Sequence, residues 1–504
     1  MPTAYTKVNL IDLTNLPSGI SLFSLPDDVL LLVISFLGVK DILQLRQTSK
    51  RLYLMTKLRW VWSNAMKRQV IDKGLPVPAS VDADLKEISA QHLEARAVHA
   101  AKFHENWYSS RPTPRRSIEF AAEVPFPDSV TFSENHPPKF VVRQVRFLPG
   151  RNGEVIVTSV NRFVTCWEVP LDGSGAYRIA EWQAPRSVEQ LLVNEDPRHP
   201  VQLACMTGDT TGNHVSLIHT LVLDTFHGTL TEHATLRSFR EISIPIYAFR
   251  GDWIAFGNPL LVWCIATLKA SPEMKDLPSA TKEGNTLIRR VPAHPANEDT
   301  TKVLKVKLLD NFMLVVRSQS IQMVEYDHPD GVTQKMNGFR SMEYPAREAV
   351  VVARPPKDNE SICQWPITLL VRCTDEGFDT IRQYDLLPNP KVSSDPSEFP
   401  CLFPTQYTRV TQNVTSRHTM YPARCIVGFD VMEDGKSEAD EADQGQVSGA
   451  NALHICEQEI YSRRCDMSEI ICRKYSLTAA DLEDTVGRVA IGDRHGKIEV
   501  LDLV

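Results

Sequence analysis

The sequence predicts a two-part chain, α-helical at its start and all-β thereafter. Three observations carry that reading. From Val29 to Leu37 only Ser35 is polar, so a helix there is apolar nearly all the way round. Leu85, Ile88, Leu93, Ala97, Ala100, Ala101, His104 and Trp107 then recur mostly at three or four residues, the spacing of an amphipathic helix. From Phe140 onward the period shortens to two, with β-branched runs separated by Gly, Asn, Asp and Pro.

Residues 1–20 mix polar and apolar types without a period and include Pro17 and Gly19, which reads as a loosely held arm. Ser24 is the expected N-cap of the first helix, with Asp27 three residues on and Pro26 in the first turn. Asp27 and Asp28 suit the positive end of the helix dipole, and Gly38 is the expected stop. Asp41 and then Thr48 or Ser49 read as two further N-caps, for short helices around Ile42–Gln47 and Lys50–Lys57. A fourth helix is expected from Leu58 to about Val70. A helical unit of ~40 residues is too small to bury this much apolar surface alone, so a partner is expected to cover part of it.

Ser24–Trp62 resembles the F-box. Leu25-Pro26 opens the motif, Ile34 and Leu37 follow, Asp41-Ile42 and Leu45 continue it, and Thr48-Ser49-Lys50-Arg51-Leu52 with a late Trp62 complete it. Asp28 stands where the family usually has Glu, and Leu52 then Tyr53 where it has an aromatic directly after Lys-Arg. The resemblance implies binding to a Skp-type adaptor and, through it, to a cullin-RING scaffold. The residues it nominates for adaptor contact are Leu25, Pro26, Leu30, Ile34, Leu37, Ile42, Leu45, Lys50, Leu52 and Trp62.

His92, His99 and His104 lie on the amphipathic helix, but they lack the i, i+4 spacing of a helical ligand pair, so no metal is assigned. Residues 111–138 are rich in Pro, and extended chain is expected there. The boundaries are thus an arm over 1–20, the F-box over 21–70, a helical linker over 71–112 and a β domain over 113–504. An acidic insertion falls near 433–449, and its core EDGKSEADEAD (433–443) is expected to stay solvated.

Hairpins are expected at Glu154–Val169, Val201–Asp224, Trp253–Ala266, Phe312–Asp327, Ile367–Asp385, Ala452–Asp466 and Arg488–Asp502. Six end on an apolar residue followed by an acid: Trp167-Glu168, Leu223-Asp224, Tyr326-Asp327, Tyr384-Asp385, Cys465-Asp466 and Leu501-Asp502, while Trp263-Cys264 keeps only the aromatic. This half resembles a degenerate WD-repeat β-propeller, in which such a pair ends the third strand of each blade. Only GRVAIGDRHGKIEVLDL at the end approaches the family consensus. The resemblance implies seven blades, with six or eight left open. Because the chain stops just after a third strand, a strand within Arg116–Val124 is expected to close the ring.

Composition is that of a globular protein of 504 residues, 42% hydrophobic and 23% charged, and the formal charge of −7 argues against a nucleic-acid surface. The longest strongly apolar run, Val29–Ile34, is far short of a membrane span. Ten Cys without a repeated CxxC pattern suit reduced thiols in a cytosolic or nuclear setting; Cys456, Cys465 and Cys472 match no zinc module. No phosphate-cradling GxxxxGK[ST], dinucleotide GxGxxG, GxSxG elbow or HExxH occurs, and no cofactor is expected. The combined resemblance implies a non-catalytic substrate receptor of a ubiquitin ligase, with the β domain holding a protein substrate. Two alternatives stand beside it: an adaptor-bound scaffold or regulator, and a propeller enzyme with a helical appendage.

Overall fold

The computed structural model describes residues 25–73, 75, 88–107, 109, 113–122, 141–208, 216–237, 245–266, 288–291, 302–309, 312–325, 336–342, 345–353, 367–375, 378–388, 401–402, 408–411, 417–422, 426–432, 452–455, 460–463, 477–483 and 485–504. They fall into two compact units, residues 1–72 with 83–101 and residues 73–82 with 102–504. Among the described residues no helix is long and apolar enough to cross a membrane.

The first unit holds α1 (Asp27–Ser35), α2 (Val39–Arg46), α3 (Lys50–Met55), α4 (Arg59–Ala65) and most of α5 (Ala90–Trp107), and α4 runs on into a π-helical turn, Met66–Ile71. Pro26, not Ser24, stands at the N-cap of α1, where its missing N–H leaves nothing unpaired; Ser24 lies outside the described residues. Gly38 begins α2 instead of ending α1. Its N–H donates to Asp41 Oδ2 at 3.3 Å, which makes Asp41 a third-position acceptor rather than the cap. Ser49 caps α3 as expected, its Oγ accepting from Leu52 N–H at 3.2 Å.

Trp62 is fully buried, as are Leu30, Ile34, Ile42 and Leu52, and its Nε1–H donates to Thr56 O at 2.7 Å. Arg46 stacks 5.5 Å from the Trp62 ring and bonds Thr56 Oγ1 at 3.2 Å and Glu94 Oε1 at 2.6 Å. Burial works to raise the Glu94 carboxyl, but Arg46 and then Lys57 outweigh it and hold it below its ordinary value. On α5, Leu93, Ala97 and Ala100 are buried on one face as the period predicts, and Phe103 joins them in place of His104, which is only half-buried.

In the second unit the described residues form seven antiparallel sheets, here numbered in chain order by the span of their strands: sheet 1 (142–183), sheet 2 (187–237), sheet 3 (246–290), sheet 4 (303–341), sheet 5 (346–411), sheet 6 (417–463) and sheet 7 (477–502). Each is a meander of four strands, except that the outer strand of sheet 5 is split into Cys401–Leu402 and Thr408–Thr411 and that the span of sheet 7 supplies only three. The first strand of every sheet lies beside the first strand of the next, and that of sheet 7 lies beside that of sheet 1. The sheets therefore follow one another around a closed ring, a β-propeller, with apolar cores between neighbours.

Arg116–Ala121 closes the ring as predicted. It pairs antiparallel with Lys497–Asp502 from Arg116↔Asp502 to Ala121↔Lys497 and becomes the fourth strand of sheet 7. Of the expected hairpins, Ala452–Asp466 is placed differently. Ala452–Ile455 and Ile460–Arg463 do pair, but as third and fourth strands, because the second strand is Ile426–Met432 on the far side of the acidic insertion. A long polar insertion hides the partner of a short strand. Cys465-Asp466 and Tyr326-Asp327 lie outside the described residues, as do residues 433–451.

Asp481 joins sheet 7 to sheet 1: its Oδ2 accepts Phe147 N–H at 2.8 Å and its Oδ1 lies 3.7 Å from Arg146. Burial pushes its carboxyl up to about 6, against the opposing pull of Arg146. An acid with a raised native pKa binds its proton more tightly folded than unfolded. Its stabilising contribution is therefore complete below 3.8, its unperturbed value, and is lost as pH rises through about 6. In chemical denaturation across this window, Asp481→Asn should remove that part of the slope and leave a flatter profile than wild type; an unchanged profile would place the carboxylate's titration elsewhere.

Candidate functional site

Helix α1 is apolar on two sides, and the structure separates them. Leu30 and Ile34, one turn apart, point into the core at 2% and 1% exposure. Val29, Leu32, Val33 and Phe36 repeat at the same helical spacing on the outer side, with Leu32 at 58% and Phe36 at 66%. Tyr53 and Leu54 at the end of α3, Leu58 in the α3–α4 connection and Trp60 in α4 are exposed as well. Among the described residues, eight of the eleven exposed large hydrophobics thus belong to a stretch of some thirty residues. Soluble surfaces rarely gather apolar groups so densely without covering them.

The surroundings hold this face in shape. Arg51 on α3 bonds Asp27 Oδ1 through Nε at 3.0 Å and Leu25 O through Nη2 at 2.8 Å, which fixes the N-terminus of α1 against α3. Arg68 lies 4.9 Å from the Phe36 ring and donates from Nη1 to Ser35 O at 3.1 Å, so the exposed ring carries a cation on one face. Between Leu25 and Lys73 there are nine Lys and Arg against four Asp, an excess that the net acidic chain does not show as a whole.

The ten residues nominated by the sequence divide between these two environments. Pro26 and Lys50 are exposed, and Leu25, Leu37 and Leu45 are half-buried. Leu30, Ile34, Ile42, Leu52 and Trp62 are core residues with almost no accessible surface, because the helices need an interior of their own. The exposed set of Val29, Leu32, Val33, Phe36, Leu54 and Trp60 was missed. A run apolar on every side gives no helical phase, and only the positions of α2, α3 and α4 decide which stripe they cover.

Residues 22–67 match the family model described as F-box-like. No curated protein matches the chain. Among solved structures, the WD40 domain of SCAP from fission yeast aligns over 72% of this chain and 84% of its own, at 9% identity and a TM-score of 0.40. Sqt1 from Chaetomium thermophilum, solved bound to the N-terminus of ribosomal protein L10, aligns over 72% and 84% at 12% identity and a TM-score of 0.41. The helices, their order and the family match agree: residues 22–67 are an F-box-like domain, and a β-propeller follows it.

Proposed function

We propose that this protein is a substrate receptor of a cullin-RING ubiquitin ligase, docking a Skp-type adaptor on the outer face of its F-box-like domain and holding a protein substrate on its propeller. The observation that carries the reading is the exposed stripe Val29, Leu32, Val33 and Phe36, which a fold of this size would not leave open without a partner. The basic excess around it suits an acidic partner, since complementary charge speeds encounter and suppresses wrong pairings. Chemistry is then left to a ubiquitin-charged enzyme on the scaffold. The receptor contributes proximity, which replaces a bimolecular encounter by a local one.

The test is co-expression of the full chain with a Skp-type adaptor and the N-terminal part of its cullin. A complex that survives size-exclusion chromatography supports the docking half, and independent elution at micromolar concentration overturns it. For the receptor half, proteins that accumulate when the stripe is disrupted would be the substrates. A complex that forms with no such accumulation would favour a scaffold without substrate delivery.

A further inference from the structure

Charged side chains from sheets that are not neighbours meet on the axis of the ring. Lys307, on the innermost strand Val303–Leu308 of sheet 4, pairs with Glu195, which follows the innermost strand of sheet 2, at 2.8 Å. Sheet 3 lies between those two, so the pair spans the interior rather than a blade interface. Lys305 stands two residues before Lys307 on the same side of the same strand. It is close enough to Glu195, Lys307 and Arg146 for each to act on its charge, and Arg146 belongs to the innermost strand of sheet 1.

Both acids of this cluster are already engaged. Glu195 is taken by Lys307, and Asp481 by Arg146 and by Phe147 N–H. Lys305 is half-buried and makes no hydrogen bond or ion pair among the described residues. Burial, and then its two cationic neighbours against the pull of Glu195, disfavours its charged form. A chain with net charge −7 has no compositional reason to gather three cations on the axis of its own fold. An enclosed ammonium beside two like charges is costly unless an anion completes it.

We propose that the axis of the ring binds a phosphate-sized oxyanion between Lys305, Lys307 and Arg146, a site separate from the adaptor-docking face and independent of the reading given to it. A tetrahedral oxyanion can accept from an ammonium and a guanidinium at once, which chloride cannot do with directional bonds. The full chain should therefore be more stable in phosphate than in chloride at equal ionic strength. At phosphate about tenfold above its Kd the rise in Tm should be about 1–3 °C for a domain of this size. Lys305→Met should unfold at the same or a higher temperature in chloride, because it removes a buried like charge, and should lose the phosphate increment.

An increment that persists in Lys305→Met, or one that chloride reproduces at matched ionic strength, overturns the proposal. Should that variant fail to fold, phosphorus-31 line broadening of inorganic phosphate by the wild-type chain reads binding directly. Broadening that excess sulfate reverses supports the site, and no broadening at millimolar phosphate overturns it. Repeating the titration with glycerol phosphate distinguishes the two forms in which the group could arrive: competition by the ester shows a site open to a terminal phosphate, and its failure, with inorganic phosphate bound, shows one that takes only the free ion.

Discussion

Leu32→Asp combined with Phe36→Asp should reduce adaptor affinity by at least a hundredfold while leaving the melting of the chain within a degree or two of wild type. Leu32 and Phe36 expose 58% and 66% of their surface, so neither is needed to complete the core. Each buries its remainder only when a partner arrives. Fully burying a large apolar side chain is worth about 1.5–3 kcal/mol, and forcing a carboxylate into the same interface adds a desolvation cost. Scaled by the exposed fractions, the two side chains together supply about 2–4 kcal/mol, and the desolvation of two carboxylates carries the loss past the ~2.7 kcal/mol that a hundredfold change in Kd requires. Binding measured by calorimetry against purified adaptor, with thermal unfolding alongside, reads both halves of the expectation. Unchanged affinity in the double variant would remove α1 from the interface.

Leu30→Asp should behave differently, and the contrast is what makes the test discriminating. Leu30 is 2% exposed, and a carboxylate there is buried without a partner, so the helices of the first unit should lose cooperative unfolding altogether. Loss of adaptor binding by that variant would report a collapsed domain rather than a damaged docking face.

How far the site could be read in advance follows from helical geometry. The segment was recognisable because its turn signals and apolar spacing are local: Leu25-Pro26, Ser49 as a cap and Trp62 all fall where the motif needs them. The exposed stripe was not recognisable, because from Val29 to Leu37 both stripes of the helix are apolar. Leu30 and Leu32 are the same residue type two positions apart. Only tertiary packing makes one interior and the other exposed.

The β domain shows the same division between local and long-range information. Period-two alternation located second and third strands well, including Val155–Val160 with Phe163–Glu168 and Arg488–Asp493 with Lys497–Asp502, since a tight hairpin needs only neighbouring residues. Closure by Arg116–Ala121 was legible for a different reason: a ring ending on a third strand has one open edge, and an unpaired edge calls for a strand from elsewhere. The axial cluster left no trace in the sequence. Arg146, Glu195, Lys305 and Lys307 come from three sheets separated by scores of residues, and nothing local marks them as neighbours.

Arg488→Met should destabilise the propeller by about 3–5 kcal/mol, the range for removing one partner of a buried ion pair. Arg488 is fully buried, donating to Asp502 Oδ1 through Nε at 2.6 Å and to Asp502 Oδ2 through Nη2 at 3.3 Å. The same guanidinium crosses to sheet 1, where Nη1 reaches Gly153 O at 3.0 Å and Val169 O, and Nη2 reaches Pro170 O at 3.0 Å. The acid that ends the third strand of sheet 7 thereby anchors a clamp between the last sheet and the first. Met keeps the apolar stem but ends where Arg488 Nε stands, so the loss combines the polar contacts with the space the guanidinium leaves. It leaves the Asp502 carboxylate, 12% exposed as a side chain, and three carbonyls without this donor. If the charge left on Asp502, which then keeps only Arg116 Nη1 at 4.0 Å, dominates, Arg488→Met/Asp502→Asn should be no less stable than Arg488→Met alone, and its loss should fall well short of the sum of the two single losses. Chemical denaturation of the four proteins measures the cycle. Strict additivity would mean that the carbonyl bonds to sheet 1, rather than the ion pair, hold the ring shut at this point.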